Sequence, residues 1–573
     1  MFDVVIQGGS LIDGTGVPRR RADVGVTGGR VTAIGELAGE GARRTIDADG
    51  LVVAPGFVDI HTHYDAQVFW DPACTPSPLH GVTTVVGGNC GFTIAPLAAS
   101  EADYLMRMLS RVEGMPLESL ATGVPWDWQT FGEYLDRLDG TLAVNAGFLV
   151  GHSALRRVAM GDRSHEPATD SDVAAMCRAL GESLTAGGLG FSSSQAPTHN
   201  DGDGEPVPSR AATRDELVAL SRVVGDHPGT TLEFIPTVGR FSDDHVALMA
   251  AMSASAGRPL NWNVLVVGAG SDTYQSQLEA SDRAAEQGGR VLALTVPSVM
   301  QLHLNFRSGF LFDALPGWGP TMALPDDEKM RALADPEVRR RLREAAESDT
   351  GLFRAMLRWD RLQIGETFAP ENEGLAGRTV ADVAAERGAD PFDALLDIVV
   401  TDDLRTVLMP PARGDDPESW RLRSEAWRDP RVVVGASDAG AHLDMLATFS
   451  YSTSLLAASR AHELVPLEEA VHLLTDVQAR LYGIRDRGRV AEGWHADLVV
   501  FDEDRVGPGP VHTRYDLPAG AGRLYAEAEG IEHVLVNGTE IAARGALTGD
   551  RPGTLLRSGR DTETVEVAGV RAG

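Results

Sequence analysis

Short apolar runs alternate with amphipathic stretches between about residues 56 and 485. The runs are rich in β-branched residues and are bounded by glycine, proline and polar turn residues, which is typical of buried strands. Strands that alternate with helices favour a parallel sheet, and eight of them favour a closed barrel. The candidate strands are 57–63, 82–90, 144–152, 188–194, 230–238, 260–268, 291–298 and 432–440.

The two ends of the chain show a different pattern, in which strand-like runs are joined by glycine-rich turns. The pair Asn537-Gly538 is a good two-residue hairpin turn. Because termini commonly lie close together, we predict that both ends build one small β-sandwich. The predicted fold is α/β: a distorted (β/α)8 TIM barrel at 56–485, with a sandwich formed by residues 1–55 and 486–573.

One connection in the barrel is too long for a single helix. Residues 302–430 separate the last two candidate strands, and they include the charged helical segment 326–348. Barrels usually carry long insertions at the mouth, where the loops that follow the strands lie. We therefore predict an insertion over the barrel mouth.

Composition narrows the function classes. The 573-residue chain has a formal net charge of -31, which disfavours binding to nucleic acid or to an anionic membrane surface. It has only three cysteines and no apolar run long enough to span a bilayer. We expect a cytoplasmic protein with a small-molecule substrate. A homodimer is a further expectation.

The sharpest chemical signal is His61-Thr62-His63 at the end of an apolar run. In an extended strand, residues two apart point to the same side, so both imidazoles can face one metal ion. The carboxyl ends of barrel strands are the catalytic ends. A metal site is therefore the favoured interpretation, and a structural histidine pair is the alternative.

A second signal is Asp438, which follows the apolar run of the last candidate strand. A carboxylate at this place could ligate a metal and also accept a proton from water. Taken alone, the short Ser-Asp-Ala-Gly sequence is more typical of a turn. The His61/His63 pair favours the functional interpretation.

Several stretches resemble the amidohydrolase superfamily, and within it the N-acyl-D-amino-acid deacylase (D-aminoacylase) group. They cover nearly the whole chain, and the segment GGNCGF at 87–92 points to the deacylase group. The matching stretches are 8–16, 54–66, 81–96, 151–156, 188–194, 437–440 and 475–502.

The resemblance implies a divalent metal, usually zinc, held by His61, His63 and Asp438, with Cys90 as a further ligand. A buried apolar thiol is the alternative for Cys90. Many amidohydrolases bridge two metals with a carboxylated lysine. Lys329 is the only lysine here and is predicted on a surface-type helix, which argues against that arrangement.

The sequence also departs from the group. Relatives carry metal-binding histidines on strands five and six, where this chain has Glu233 and Asn263. Glu233 could supply an oxygen ligand or be a core glutamate, whereas Asn263 would be a poor ligand. We therefore expect one metal ion, with two as the alternative. His152, at the end of the third candidate strand, is a candidate for helping to stabilise an oxyanion.

The expected activity is metal-dependent hydrolysis of a non-peptide C–N bond by attack of metal-bound hydroxide. Asp438 would be the general base and acid, and an N-acyl-D-amino acid is the family's usual substrate. The alternatives are a cyclic-amide hydrolase, a metal-dependent lyase or C–C hydrolase, and a non-catalytic assembly protein on the same scaffold.

Overall fold

The computed structural model describes residues 1–309, 311–313, 315–348 and 358–567. No helix within these ranges is both long enough and apolar enough to cross a bilayer. The N-terminal segment consists of short strands: β1 (Phe2–Gln7), β2 (Ser10–Leu11), β3 (Arg20–Arg21), β4 (Asp23–Thr27), β5 (Arg30–Gly35), β6 (Ala42–Asp47) and β7 (Val52–Pro55).

A parallel barrel follows, and each of the candidate strands overlaps an observed one. Neighbouring strands pair in parallel register, and a bridge between Thr62 and Ala439 joins the first strand segment to the last. The strands are β8 (Phe57–Asp59), β9 (Val82–Gly87), β10 (Asn145–Phe148) continued by β11 (Val150–Gly151), β12 (Gly190–Ser194), β13 (Thr231–Ile235), β14 (Leu260–Leu265), β15 (Val291–Thr295) and, after β16 (Gln363–Glu366) and β17 (Val407–Met409), β18 (Val432–Val434).

Amphipathic helices cover the barrel and pack their apolar faces on it. Several begin at a side-chain cap, such as Thr169 before α5 and Ser242 before α7. The helices before the insertion are α1 (Ala102–Val112), α2 (Leu117–Gly123), α3 (Phe131–Leu138), α4 (His152–Met160), α5 (Asp170–Thr185), α6 (Arg214–Gly225), α7 (Asp243–Ala256) and α8 (Thr273–Glu286).

The long connection forms a second hydrophobic core, which includes the fully buried Trp318 and is completed by Met445 and Leu446 from the segment after the last barrel strand. The predicted helical segment 326–348 is split, because Pro336 cannot continue the preceding helix. The helices are α9 (Gly319–Met322), α10 (Asp326–Ala334), α11 (Pro336–Ser348), α12 (Val380–Arg387) and α13 (Pro391–Thr401).

Helix α14 (Pro417–Trp427) packs Trp420 and Trp427 into the barrel core, although it falls inside the predicted insertion. The expectation of a surface position for Lys329 was wrong. Its side chain is buried, and Nζ donates to the carbonyl oxygens of Arg307 and Phe306 at 2.8 and 3.3 Å. Helices α15 (Tyr451–His462), α16 (Leu467–Leu474) and α17 (Asp476–Leu481) complete the barrel.

The C-terminal strands return to the N-terminal segment. Strand β19 pairs with β7, and apolar residues from both ends of the chain share one core. The hairpin predicted at Asn537-Gly538 joins β24 to β25. These strands are β19 (Leu498–Phe501), β20 (Gly507–Pro508), β21 (His512–Arg514), β22 (Arg523–Tyr525), β23 (Ala528–Glu529), β24 (Ile531–Val536), β25 (Thr539–Ala543) and β26 (Ala546–Leu547). The domain boundaries 55/56 and 485/486 stay a prediction.

Candidate metal centre

The predicted ligands converge at the carboxyl ends of the barrel strands. The Nε2 atom of His63 lies 3.1 Å from Oδ1 of Asp438, and Nε2 of His61 lies 3.5 Å from the same oxygen. The Cys90 sulfur lies 3.4 Å from His61 Nε2 and 3.8 Å from His63 Nε2. Two imidazole nitrogens, a thiol and a carboxylate thus surround one small volume.

The backbone at this site departs from regular strand geometry. Regular strand β8 ends at Asp59, before the predicted end at residue 63, so the two histidines lie just beyond it. Cys90 and Asp438 both have left-handed φ angles, 58° and 57°, which cost energy for non-glycine residues and are typical of functional sites. The glycine-rich context of Cys90 has a steric reason, because a Cβ on Gly88 would lie 2.3 Å from the Leu149 carbonyl oxygen.

Charges within the cluster are strongly coupled. Burial raises the pKa of Asp438, but hydrogen bonds from His61 and His63 outweigh it and hold that pKa well below its usual range. Burial lowers the pKa of His63, yet Glu113 and Cys90 outweigh this and raise it well above normal. Asp438 is therefore ionised at neutral pH, and its side chain stays 25% exposed.

Glu233 and Asn263 border the same volume. One carboxylate oxygen of Glu233 accepts the backbone N–H of Cys90 at 2.8 Å, and burial raises the pKa of this carboxyl to about 8. Nδ2 of Asn263 lies 3.0 Å from His61 Nε2. The other oxygens of both side chains are buried without a hydrogen-bond partner. Such unpaired acceptors next to a cluster of ligand-type atoms fit a site for a cation.

Glu113 is a neighbour that the sequence interpretation missed. It follows α1, and its Oε1 lies 3.1 Å from Nδ1 of His63. Its carbonyl oxygen accepts the backbone N–H of His442 at 2.5 Å, and His442 Nε2 lies 4.0 Å from Asp438 Oδ2. No motif marks this glutamate.

His152 lies in a separate buried network. Its Nδ1 is 2.8 Å from the Ser193 hydroxyl and its Nε2 is 2.9 Å from Glu216, which also pairs with Arg156. Both ring nitrogens are thus engaged, which favours a positioning role. The catalytic assignment of His152 stays a prediction.

The donor set suits a divalent metal, and zinc in particular. His61, His63 and Cys90 each offer one ligand atom, and these atoms lie within 4.8 Å of one another. Imidazole nitrogen, thiolate sulfur and carboxylate oxygen are the ligands that zinc takes in proteins. Asp438 adds the oxygen, so the residues fit the ion that the sequence implied.

Comparisons with known proteins identify the family. The model of the amidohydrolase family matches residues 44–542. D-aminoacylase from Alcaligenes xylosoxydans xylosoxydans is 30% identical over 560 residues, which are 97% of each chain.

Two solved structures are similar over the same length. A D-aminoacylase, described as having a binuclear metal centre with one-metal activation and second-metal attenuation, has a TM-score of 0.64 and 28% identity. An N-acyl-D-glutamate deacylase from Bordetella bronchiseptica, in complex with zinc and a phosphonate that mimics the tetrahedral intermediate, has a TM-score of 0.64 and 27% identity. Each match covers 97% of this chain and 100% of the other.

The fold and the site together are those of a metal-dependent hydrolase that is built on a (β/α)8 barrel and acts on amide bonds. The chain belongs to the amidohydrolase family, in the group of the D-aminoacylases.

Proposed function

We propose that this protein hydrolyses the amide bond of an N-acyl amino acid, with N-acyl-D-amino acids as the substrate class by likeness to its relatives. The observation that carries the proposal is the convergence of His61, His63 and Cys90 with Asp438 at the barrel mouth. His61, His63, Cys90 and Asp438 would hold one divalent cation, zinc by donor type, and Glu233 is the candidate for a further oxygen ligand.

When bound, the ion supplies Lewis acidity, which polarises an amide carbonyl and makes water acidic enough to lose a proton near neutral pH. Asp438 accepts the proton of the attacking water, because its carboxylate is ionised and partly exposed. It then returns this proton to the leaving nitrogen. Glu113 lies against the outer nitrogen of His63 and orients the ring.

We also propose a cytoplasmic location. Cys74, Cys90 and Cys177 are all free thiols, and unpaired thiols are typical of a reducing compartment.

The proposed activity is tested by incubating the zinc-loaded protein with N-acyl-L- and N-acyl-D-amino acids and measuring the amine that is released. Asp438→Asn should lower kcat about 100-fold or more, because general acid–base groups contribute about 10²–10⁴-fold. Asp226→Asn, an exposed carboxylate at the end of α6, is the matched control and should leave kcat unchanged. Full turnover by Asp438→Asn would contradict the proposed proton transfer.

A further inference from the structure

A cleft of about 740 Å³ lies beside the metal centre, and three parts of the chain supply most of its lining. These are the α1–α2 connection, the insertion, and the hairpin of β21 and β22. The hairpin is tied to the insertion, because the Thr513 N–H donates to the Glu366 carboxylate at 2.9 and 3.1 Å. The size is that of a pocket for an organic ligand larger than an acetylated amino acid.

One end of the cleft lies next to the residues that surround the metal centre. Gly114 lines the cleft, and a Cβ at this position would lie 3.4 Å from His442 Cα and 3.5 Å from Asp444 Oδ1. The preceding residue, Glu113, contacts His63. The cleft is therefore separated from His63 at this end by the single residue Glu113.

The lining of the cleft differs in composition from the rest of the molecule. The chain has 82 acidic and 51 basic residues. Among the described residues that line the cleft, arginines instead exceed acidic side chains. The arginines are Arg107, Arg111, Arg307, Arg405 and Arg523, and the acidic residues are Glu118, Asp326 and Asp444.

Arg405 is compensated least by neighbouring carboxylates. Arg107, Arg111, Arg307 and Arg523 each have an aspartate oxygen within 3.1 Å. Arg405, by contrast, pairs within the described chain with the exposed Asp403, at the longer distance of 3.6 Å. Its Nε donates to the Asp402 carbonyl oxygen at 3.3 Å, which leaves the fork of the guanidinium for another acceptor.

Aromatic surface adjoins this guanidinium. The Arg405 group lies 5.0 Å from the centre of the Phe368 ring, and that ring packs edge-on against Tyr515 at 6.4 Å. Tyr515 is 48% exposed. Phe368 restrains the guanidinium, and Tyr515 offers an apolar face to a ligand.

We propose that Arg405 determines substrate specificity by binding a carboxylate of the substrate, while Phe368 and Tyr515 contact an apolar part of the same molecule. The substrate class is an amide that carries a carboxylate and a bulky apolar group. This assignment rests on the proposed function. It also gives the insertion a role, because the insertion supplies Arg405 and Phe368.

Binding to the full-length, zinc-loaded protein tests the assignment without turnover. The probes are 4-phenylbutyrate and its neutral amide, 4-phenylbutyramide, measured by titration calorimetry. Wild type should bind the acid about 10- to 100-fold more tightly than the amide, which is the range for hydrogen bonds to a charged group. Arg405→Ala should bind both equally, and Arg405→Lys should keep part of the preference, because lysine retains the charge without the fork.

Arg387→Ala, an exposed arginine of α12 away from the cleft lining, is the control and should retain the full preference. The assignment is overturned if wild type fails to bind the acid, or if Arg405→Ala retains the preference. It is also overturned if Arg405→Ala weakens both probes alike.

Kinetics separate this assignment from the proposed function. With a carboxylate-bearing amide substrate, Arg405→Ala should raise KM about 10- to 100-fold and leave kcat within about threefold. If wild type hydrolyses no amide while the probes behave as expected, the proposed function fails, whereas carboxylate binding by Arg405 is still supported.

Discussion

At the scale of single residues, the two histidines of the cluster are held differently. An ion pair with Glu113, at 3.1 Å, is described for the outer nitrogen of His63 and none for the outer nitrogen of His61, although neither nitrogen makes a hydrogen bond of regular geometry within the described residues. A carboxylate behind a ligating histidine fixes the ring and increases its basicity. Glu113 is therefore a positioning residue, and its effect should be seen in metal affinity.

Glu113→Gln should weaken zinc binding about 10-fold, at the lower end of the range for such supporting groups, since glutamine keeps the shape without the charge. Competition with a chromogenic chelator measures the affinity directly. Glu182→Gln, an exposed glutamate of α5, serves as the control. Equal affinities of Glu113→Gln and wild type would show that Glu113 has no part in holding the site.

The sequence could identify His61, His63, Cys90 and Asp438, because each follows an apolar strand or matches a family motif, and the structure brings these four together. It could not identify Glu113. That residue lies after a helix, about 50 positions from the histidine pair. Only tertiary packing of α1 on the barrel mouth brings it to His63.

At the scale of elements, the apolar runs in the sequence predicted the position of every barrel strand but not the residues at which the strands end. The regular strands end at Asp59 and at Val434, several residues before the predicted ends, and the segments beyond them are joined by the isolated bridge between Thr62 and Ala439. Positive φ angles at Ala436 and Asp438 interrupt the extended backbone of the last strand before it reaches its predicted end. A hydrophobic pattern in the sequence indicates which residues are buried. Because the loops beyond these strands are also buried, the pattern does not show where each strand ends.

The insertion packs around Trp318, which stacks on Trp359 at 5.5 Å and donates its indole N–H to Leu342 at 2.8 Å. Trp318→Ala should destabilise the insertion by about 3–5 kcal/mol, the usual cost of removing a buried aromatic side chain. Hydrogen exchange should become faster in α10, α11 and α13 and stay unchanged in β13. Equal acceleration in β13 would contradict a separate core for the insertion.

At the scale of the whole molecule, the C-terminal segment is anchored on the barrel by buried polar contacts. Arg523 donates to the Thr75 carbonyl oxygen at 2.6 Å, and His80 Nε2 donates to the Ala526 carbonyl oxygen at 3.0 Å. Burial lowers the pKa of His80 to about 4. Neutral His80 is thus part of the folded state.

Stability should depend on pH through His80. Its pKa in the folded state, about 4, lies below the unfolded value of 6.5, so the unfolded chain binds a proton first as pH falls. The contribution of His80 is therefore complete above about pH 6.5 and is lost toward pH 4. Between about pH 7 and 5, the difference in unfolding free energy between wild type and His80→Gln should narrow by about 2 kcal/mol. Urea denaturation at several pH values measures this difference, and a constant difference would contradict the assignment.

Zinc titration of the chelator-stripped protein tests the central claim most directly. Amine release from an N-acyl amino acid should be absent without metal and should rise to a plateau at about one equivalent of zinc per chain. His61→Ala and Cys90→Ala should not reach that plateau. Full activity in the stripped protein, or no dependence on added zinc, would contradict the account.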